Sequence, residues 1–357
     1  MKYFVICGET SGDLHLSILM GQVKKNDVNA DFVGVCGEKG ESIGVKKLLD
    51  ITEINVMGFA QALKKYKYLK ARAMEFVEYI EKEDIKNILL IDYGGFNLVF
   101  VKLLRERFGN RVNIFYYIPP KLWVWGKKRI HKLRLVDHIM VIFPWEKEFY
   151  DKENTPCVYF GNPLVDELKP RKSYGDRVLL LPGSRRQELE AILPVMKEIV
   201  ITHSERRFIL KVANGRDEKM IREQFEALDN IEITLEKTLQ ELSCECHGAI
   251  ATSGTVILEL ALLNIPTVLI YKMSKLNEFL FKAIIRFPYL GLPNIALKKF
   301  LFPELLQKAC EPVTIMKAYD TIVSADLTDD FKELRELLGN RDIINQYANY
   351  VIKESRS

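Results

Sequence analysis

Short apolar runs, each closed by glycine or a polar turn, recur along the first half of the chain: YFVIC at 3–7, DFVGVC at 31–36, NILLID at 87–92, VNIFYYI at 112–118, HIMVIF at 138–143 and VYFGN at 158–162. Helix-length stretches such as 14–25 and 62–82 separate several of them, so strand and helix alternate. Uninterrupted apolar strands of this kind belong to parallel sheets covered on both faces. A second series follows, with VLLLPGSR at 178–185, FILKVAN at 208–214, IEITLE at 231–236, GAIATSGT at 248–255 and TVLIYK at 267–272. The pattern predicts an α/β protein built from two Rossmann-like, doubly wound domains facing a cleft. The Pro- and Lys-containing stretch 161–174 marks the break between them. The expected boundaries are 1–165, 166–325 and a tail, 326–357, whose segments FKELRELL and IINQYANYVIKE read as two helices placed to pack back on the first domain.

Composition narrows the class. The chain has 357 residues, 48% of them hydrophobic and 28% charged, with 20 Gly and 13 Pro, which is globular and neither fibrous nor disordered. Net charge is +4, too mild on its own to indicate a nucleic-acid binder. Six cysteines without framework spacing point to a reducing cytosol. The N-terminal segment reads as a first strand and not as a signal peptide. The longest apolar stretch, Gly248 to Tyr271, is interrupted by Glu259, Asn264 and Pro266, so it reads as strand, helix and strand in place of a membrane span.

Ligands of parallel sheets bind where strands end, and four strand ends here are chemically unusual. The first is GETSGD, Gly8 to Asp13, where Glu9, Ser11, Gly12 and Asp13 separate a strand from a helix. Ser11 or Asp13 either caps that helix or helps present its amides to a ligand. The second is LPGSRRQE, where Gly183 and Ser184 leave room and donors beside Arg185, whose guanidinium can clamp a phosphate. The third is TSGTVILE: amides at Ser253, Gly254 and Thr255 suit a diphosphate, and Glu259, which needs a partner if buried, suits ribose hydroxyls. The fourth is IDYGGFN, where Asp92 is either a general base or a helix cap, with Asn97 close behind. No G-x-G-x-x-G, Walker A or Asp-x-Asp pattern occurs, so neither a dinucleotide nor a nucleotide-bound metal is indicated. The Cys244–His247 cluster has no second ligand pair at zinc spacing and reads as core thiols with a solvent-facing histidine.

Two stretches mix aromatic or apolar side chains with basic ones. PPKLWVWGKKRIHKLR carries Trp123, Trp125, Lys127, Lys128 and Arg129; MGFAQALKKYKYLKAR carries Met57 and Phe59. Each is either a solvated helix beside packed aromatics or a surface for an anionic, greasy partner; the pair favours the partner.

Taken in order, GETSGD, IDYGGFN, PPKLWVW, FPWEKEFY at 143, GNPLVD at 161, LLPGSR at 180, TSGT with Glu259, and LPN with PELLQ at 292–307 span nearly the whole chain. In these motifs the chain resembles the lipid-A-disaccharide synthases, inverting glycosyltransferases of the GT-B type. The resemblance implies transfer of 2,3-diacylglucosamine from UDP to 2,3-diacylglucosamine 1-phosphate, giving a β-1,6 disaccharide and UDP. It implies a UDP-sugar as donor with no cofactor or metal, Asp92 as base, and Asn294, Glu304 and Gln307 near the donor. It assigns Glu9, Ser11, Gly12, Asp13, Asn97 and Asn162 to the acceptor or cleft side. It also implies a cytoplasmic protein, peripheral on the inner face of the membrane, using anionic phospholipid and lipid-linked sugars, without nucleic acid and with room for a homodimer. Pro119 and Gly94–Gly95 depart from the family's usual pattern, leaving Asp92 as the acid of its motif. Alternatives are another UDP-sugar transferase with a lipid-linked acceptor, or a UDP-sugar 2-epimerase.

Overall fold

The computed structural model describes residues 1–55, 62–124, 126–272 and 288–356. The chain divides into two compact units, one of Met1–Pro163 with Arg341–Ser357 and the other of Leu164–Asn340. The first holds a sheet of β1 (Lys2–Ile6), β2 (Asp31–Cys36), β3 (Lys46–Asp50), β4 (Asn87–Ile91), β5 (Asn113–Tyr117), β6 (His138–Val141) and β7 (Val158–Tyr159). Its order is β3-β2-β1-β4-β5-β6-β7, and every pairing is parallel. The second holds β8 (Arg177–Leu181), β9 (Phe208–Lys211), β10 (Ile231–Thr234), β11 (Cys246–Thr252), β12 (Thr267–Tyr271) and β13 (Glu304–Leu306), in the parallel order β10-β9-β8-β11-β12-β13.

Apolar composition explains the layering. Tyr3, Phe4, Val5 and Ile6 in β1, Ile88 to Ile91 in β4, and Leu179 and Leu180 in β8 are wholly buried, so both faces of each sheet must be covered by helices. Each sheet is wound outward in both directions from its own first strand. Strand order therefore reverses between β1 and β4 in one unit and between β8 and β11 in the other, leaving a crevice at the carboxyl ends of each pair.

The expected single tail from 326 is split. The helix Thr328–Leu338 buries Phe331, Leu334 and Leu338 along one stripe and belongs to the second unit. There Arg335 donates to the carbonyls of Val165, Leu168 and Leu262 at 3.1, 2.9 and 2.6 Å. The helix Ile343–Glu354 belongs to the first unit. Its Tyr347 hydroxyl lies 2.5 and 2.9 Å from the Val141 and Gly161 carbonyls, and Tyr350 meets His138 Nδ1 at 2.8 Å.

Candidate functional site

In the first unit, GETSGD leaves β1 and IDYGGFN leaves β4, so both flank the reversal point. The two loops touch: a Cβ on Gly8 would lie 2.0 Å from Tyr93 Cγ, a space only glycine leaves for the ring. Asp92 and Tyr93 adopt φ of 48° and 46°, a left-handed pair costing about 1–3 kcal/mol per residue unless the surroundings enforce it. Asn97 Nδ2 and the Tyr116 hydroxyl enforce it by donating to the Asp92 carbonyl at 2.9 and 2.7 Å. The half-buried Asp92 carboxyl is raised above the usual range, by burial first and then by the Glu9 charge, while Lys121 and the Tyr93 amide oppose the rise. Such a group holds a proton more readily than a free aspartate and is suited to taking one from a hydroxyl.

Other residues assigned to this side play different parts. The Asp13 carboxylate accepts from the amides of Gly37, Lys39 and Gly40 at 2.8, 3.0 and 3.1 Å, so it caps the short helix Glu38–Ser42 and is spent within the fold. That corrects its assignment to the acceptor side. Gly12 is buried against Cys7, while Glu9 and Ser11 are exposed. Asn97 is wholly buried and acts through the Asp92 backbone. Asn162 is buried beyond β7, the edge strand, three strands away from β4.

Two further groups of this unit, Lys121 and Glu146, received no role from the sequence. Glu146, 2% exposed, accepts from Trp123 Nε1 and from the Ile142 amide, both at 3.3 Å, and burial raises its carboxyl to about 7. Lys121 lies in the turn before Trp123, and its charge acts on both Asp92 and Glu146. The available signal was an acid framed by aromatics in FPWEKEFY, since an acid among buried aromatics must find donors.

In the second unit, the loops after β8 and β11 are adjacent, because Leu181 pairs with Ala251. Gly183 has φ of 103°, and a Cβ there would meet Glu188 Oε2 at 2.7 Å. Arg185 stands at the N-cap of the helix Arg186–Thr202, exposed, with Nη1 2.9 Å from the buried Glu188 carboxylate. Ser184, before the helix Arg186–Thr202, is exposed; at the start of the helix Val256–Leu262, Gly254 and Thr255 are exposed and Ser253 is half-buried. The Thr252 hydroxyl is buried without a hydrogen-bond partner in the described residues. Glu259 is half-buried and raised, by burial first and then by Glu167. The partner that a buried Glu259 needs is not found among the described residues, where its carboxylate has no hydrogen bond or ion pair. Tyr271, at the end of β12, is raised chiefly by burial, with Glu188 raising and Arg185 lowering it, which puts it beside the same loop.

Asn294 and Glu304 are occupied. Glu304 accepts from the Leu290 and Gly291 amides and from Asn294 Nδ2, each at 2.8 Å, and Asn294 also bridges both backbone groups of Phe302. These two residues fix the turn before β13, and only Gln307, with φ of 53° at the end of that strand, stands where their motif leaves the sheet.

Of the residues assigned to lipid, Met57, Phe59 and Trp125 lie outside the described residues. Trp123 is not a free surface ring: besides Glu146, it packs edge-on to Trp145 at 5.9 Å. Lys127 pairs with Glu153 at 2.6 Å, Lys128 is exposed and Arg129 half-buried. Cys246 is buried as expected, but Cys244 is exposed and His247 stacks on Tyr174 at 5.1 Å. Among the described residues no helix is long and apolar enough to cross a membrane.

A family model described as lipid-A-disaccharide synthetase matches residues 3–349. A lipid-A-disaccharide synthase of Geobacter sulfurreducens is 32% identical over 86% of this chain and 83% of its own length. One of Trichlorobacter lovleyi is 29% identical over 98% and 97%. Among solved structures, an S. aureus MnaA–UDP co-structure superposes with a TM-score of 0.65 at 10% identity, covering 99% of this chain and 96% of that one. Medicago truncatula UGT71G1 complexed with UDP-glucose gives 0.62 at 13%, covering 100% and 98%. At such identities these last two speak for the fold, two Rossmann-like units of the GT-B type.

Proposed function

Because the chain belongs to the lipid-A-disaccharide synthetase family, we propose that it transfers 2,3-diacylglucosamine from UDP to the 6-hydroxyl of 2,3-diacylglucosamine 1-phosphate, releasing UDP. It is a glycosyltransferase, and the family match over residues 3–349 is the observation that carries the reaction. The two reversal points divide the labour. In the second unit, Arg185 with Gly183 and Ser184, and the amides of Ser253 to Thr255, receive the diphosphate; the Glu259 carboxylate, without a partner among the described residues, accepts from ribose hydroxyls, and Gln307 serves the same donor from the end of β13. Asn294 and Glu304 serve by holding their turn. In the first unit, Asp92 takes the proton of the attacking hydroxyl, and its left-handed backbone, locked by Asn97 and Tyr116, sets where that carboxyl stands. Negative charge grows on the departing UDP, so donors already in place around it lower the barrier most. One in-line displacement inverts the anomeric centre.

The basic stretch from Lys127 to Arg134 suits anionic headgroups at the membrane face where both lipid substrates reside, making the enzyme peripheral. The reaction is tested by incubating the chain with labelled UDP-diacylglucosamine and diacylglucosamine 1-phosphate. The expected products are disaccharide 1-phosphate and UDP in equal amounts; UDP without disaccharide, or conversion of UDP-N-acetylglucosamine without any acceptor, contradicts the proposal.

A further inference from the structure

Lys121 occupies the turn that leaves β5, and the residues around it are pinned. Pro120 packs on Gly94 so closely that a Cβ at 94 would lie 2.3 Å from Pro120 Cγ. Leu122 is 1% exposed, and its amide returns to the Pro120 carbonyl at 2.7 Å. Trp123 is tied to the buried Glu146, which is tied in turn to the Ile142 amide after β6. The turn is thereby fixed against both the Asp92 loop and the next strand end, which reduces the ordering cost of using its side chain to bind.

Lys121 is exposed, and among the described residues its ammonium makes no ion pair or hydrogen bond; only its backbone carbonyl is engaged, by the Val124 amide at 3.1 Å. Its charge nonetheless reaches three groups on three elements: Asp92 after β4, His15 in the helix after β1, and Glu146 after β6. An ammonium without a partner among the described residues therefore stands near the base, on a braced turn. The only strongly anionic group that the acceptor brings to this unit is its phosphate, and lysine suits phosphate as a point charge.

We propose that Lys121 binds the 1-phosphate of the acceptor, and so orients the sugar whose hydroxyl Asp92 deprotonates. This assignment rests on the reaction proposed above. The test measures kcat and KM for the wild type, Lys121→Gln and Lys121→Arg, with diacylglucosamine 1-phosphate and with the same lipid lacking its phosphate. A charge-assisted contact predicts a wild-type preference for the phosphorylated acceptor of roughly tenfold to a hundredfold in kcat/KM. Lys121→Gln should reduce that preference to about threefold or less, mainly through acceptor KM and with donor KM unchanged, while Lys121→Arg keeps most of it. An undiminished preference in Lys121→Gln overturns the assignment. So does an equal loss on both acceptors with the acid limb of the pH–rate profile moved upward, since that would make Lys121 a tuner of Asp92 only. Absence of disaccharide from the wild type overturns the reaction itself, whereas normal wild-type product with an undiminished preference in the variant overturns this assignment alone.

Discussion

Replacing Glu146 by glutamine removes the charge of a buried carboxyl while keeping its outline. Burial raises this group from its ordinary 4.5 to about 7, against smaller opposing effects of Lys121, the Trp123 N–H and the Ile142 and Phe143 amides. Between those values the folded chain holds a proton that the unfolded chain has already lost. Stability contributed by the neutral form is therefore present below the unfolded value and falls as pH rises toward the folded one. At 1.36 kcal/mol per tenfold change in proton affinity the whole effect is about 3 kcal/mol, and most of it is lost between about pH 5 and pH 8. All three tryptophans, Trp123, Trp125 and Trp145, belong to the first unit, so their fluorescence in urea follows that unit's unfolding. Between pH 5 and pH 8 the wild type should lose roughly 2–3 kcal/mol more than Glu146→Gln does. The difference between pH values is the readout, because the glutamine N–H₂ can also face the Ile142 amide and cost about 1–3 kcal/mol at every pH. Equal pH dependence in the two proteins would refute a raised Glu146.

Three further outcomes follow from close contacts and charge. Gly8→Ala places a methyl inside the Tyr93 ring and should destabilise the first unit by about 1–3 kcal/mol, read by the same fluorescence titration; an unchanged midpoint would deny that contact. Gly183→Ala combines a disfavoured φ with a collision at Glu188, and should lower UDP affinity at least about tenfold by calorimetry because the loop carrying Arg185 must move. Replacing Lys127, Lys128 and Arg129 together with glutamine should weaken cosedimentation with anionic vesicles by about 1 kcal/mol per charge, most strongly at low salt, whereas identical sedimentation at all salt concentrations would remove this stretch from the membrane contact.

The sequence pattern located the strands buried on both faces and, of the four edge strands, only the two with an apolar or alternating run, β7 and β10, while it missed β3 and β13. β3 reads KKLLD, with only Leu49 buried, and β13 has three half-buried residues; both are sheet edges, where charge and shortness are how an edge avoids pairing with another chain. At the candidate site, residue type and position relative to a strand were enough to single out Asp92, Arg185 and Ser253 to Thr255 as polar groups at strand ends. They could not separate side chains left open to a ligand from those that brace a loop, because both are polar residues at strand ends. Asp13, Asn97, Asn294 and Glu304 belong to the second kind, and only their hydrogen bonds reveal it. Glu146 shows the converse: its partners come from the β5 turn and the end of β6, contacts that spacing along the chain does not encode.

Work is divided between the two units, with donor binding at the β8/β11 reversal and proton removal at the β1/β4 reversal. Calorimetric titration of UDP into Arg185→Ala and Asp92→Asn, alongside each variant's turnover, tests this division most directly. Both substitutions should reduce transfer by about a hundredfold or more, but only Arg185→Ala should weaken UDP binding. UDP affinity lost in Asp92→Asn and retained in Arg185→Ala, or near-normal transfer by Asp92→Asn, would contradict the division.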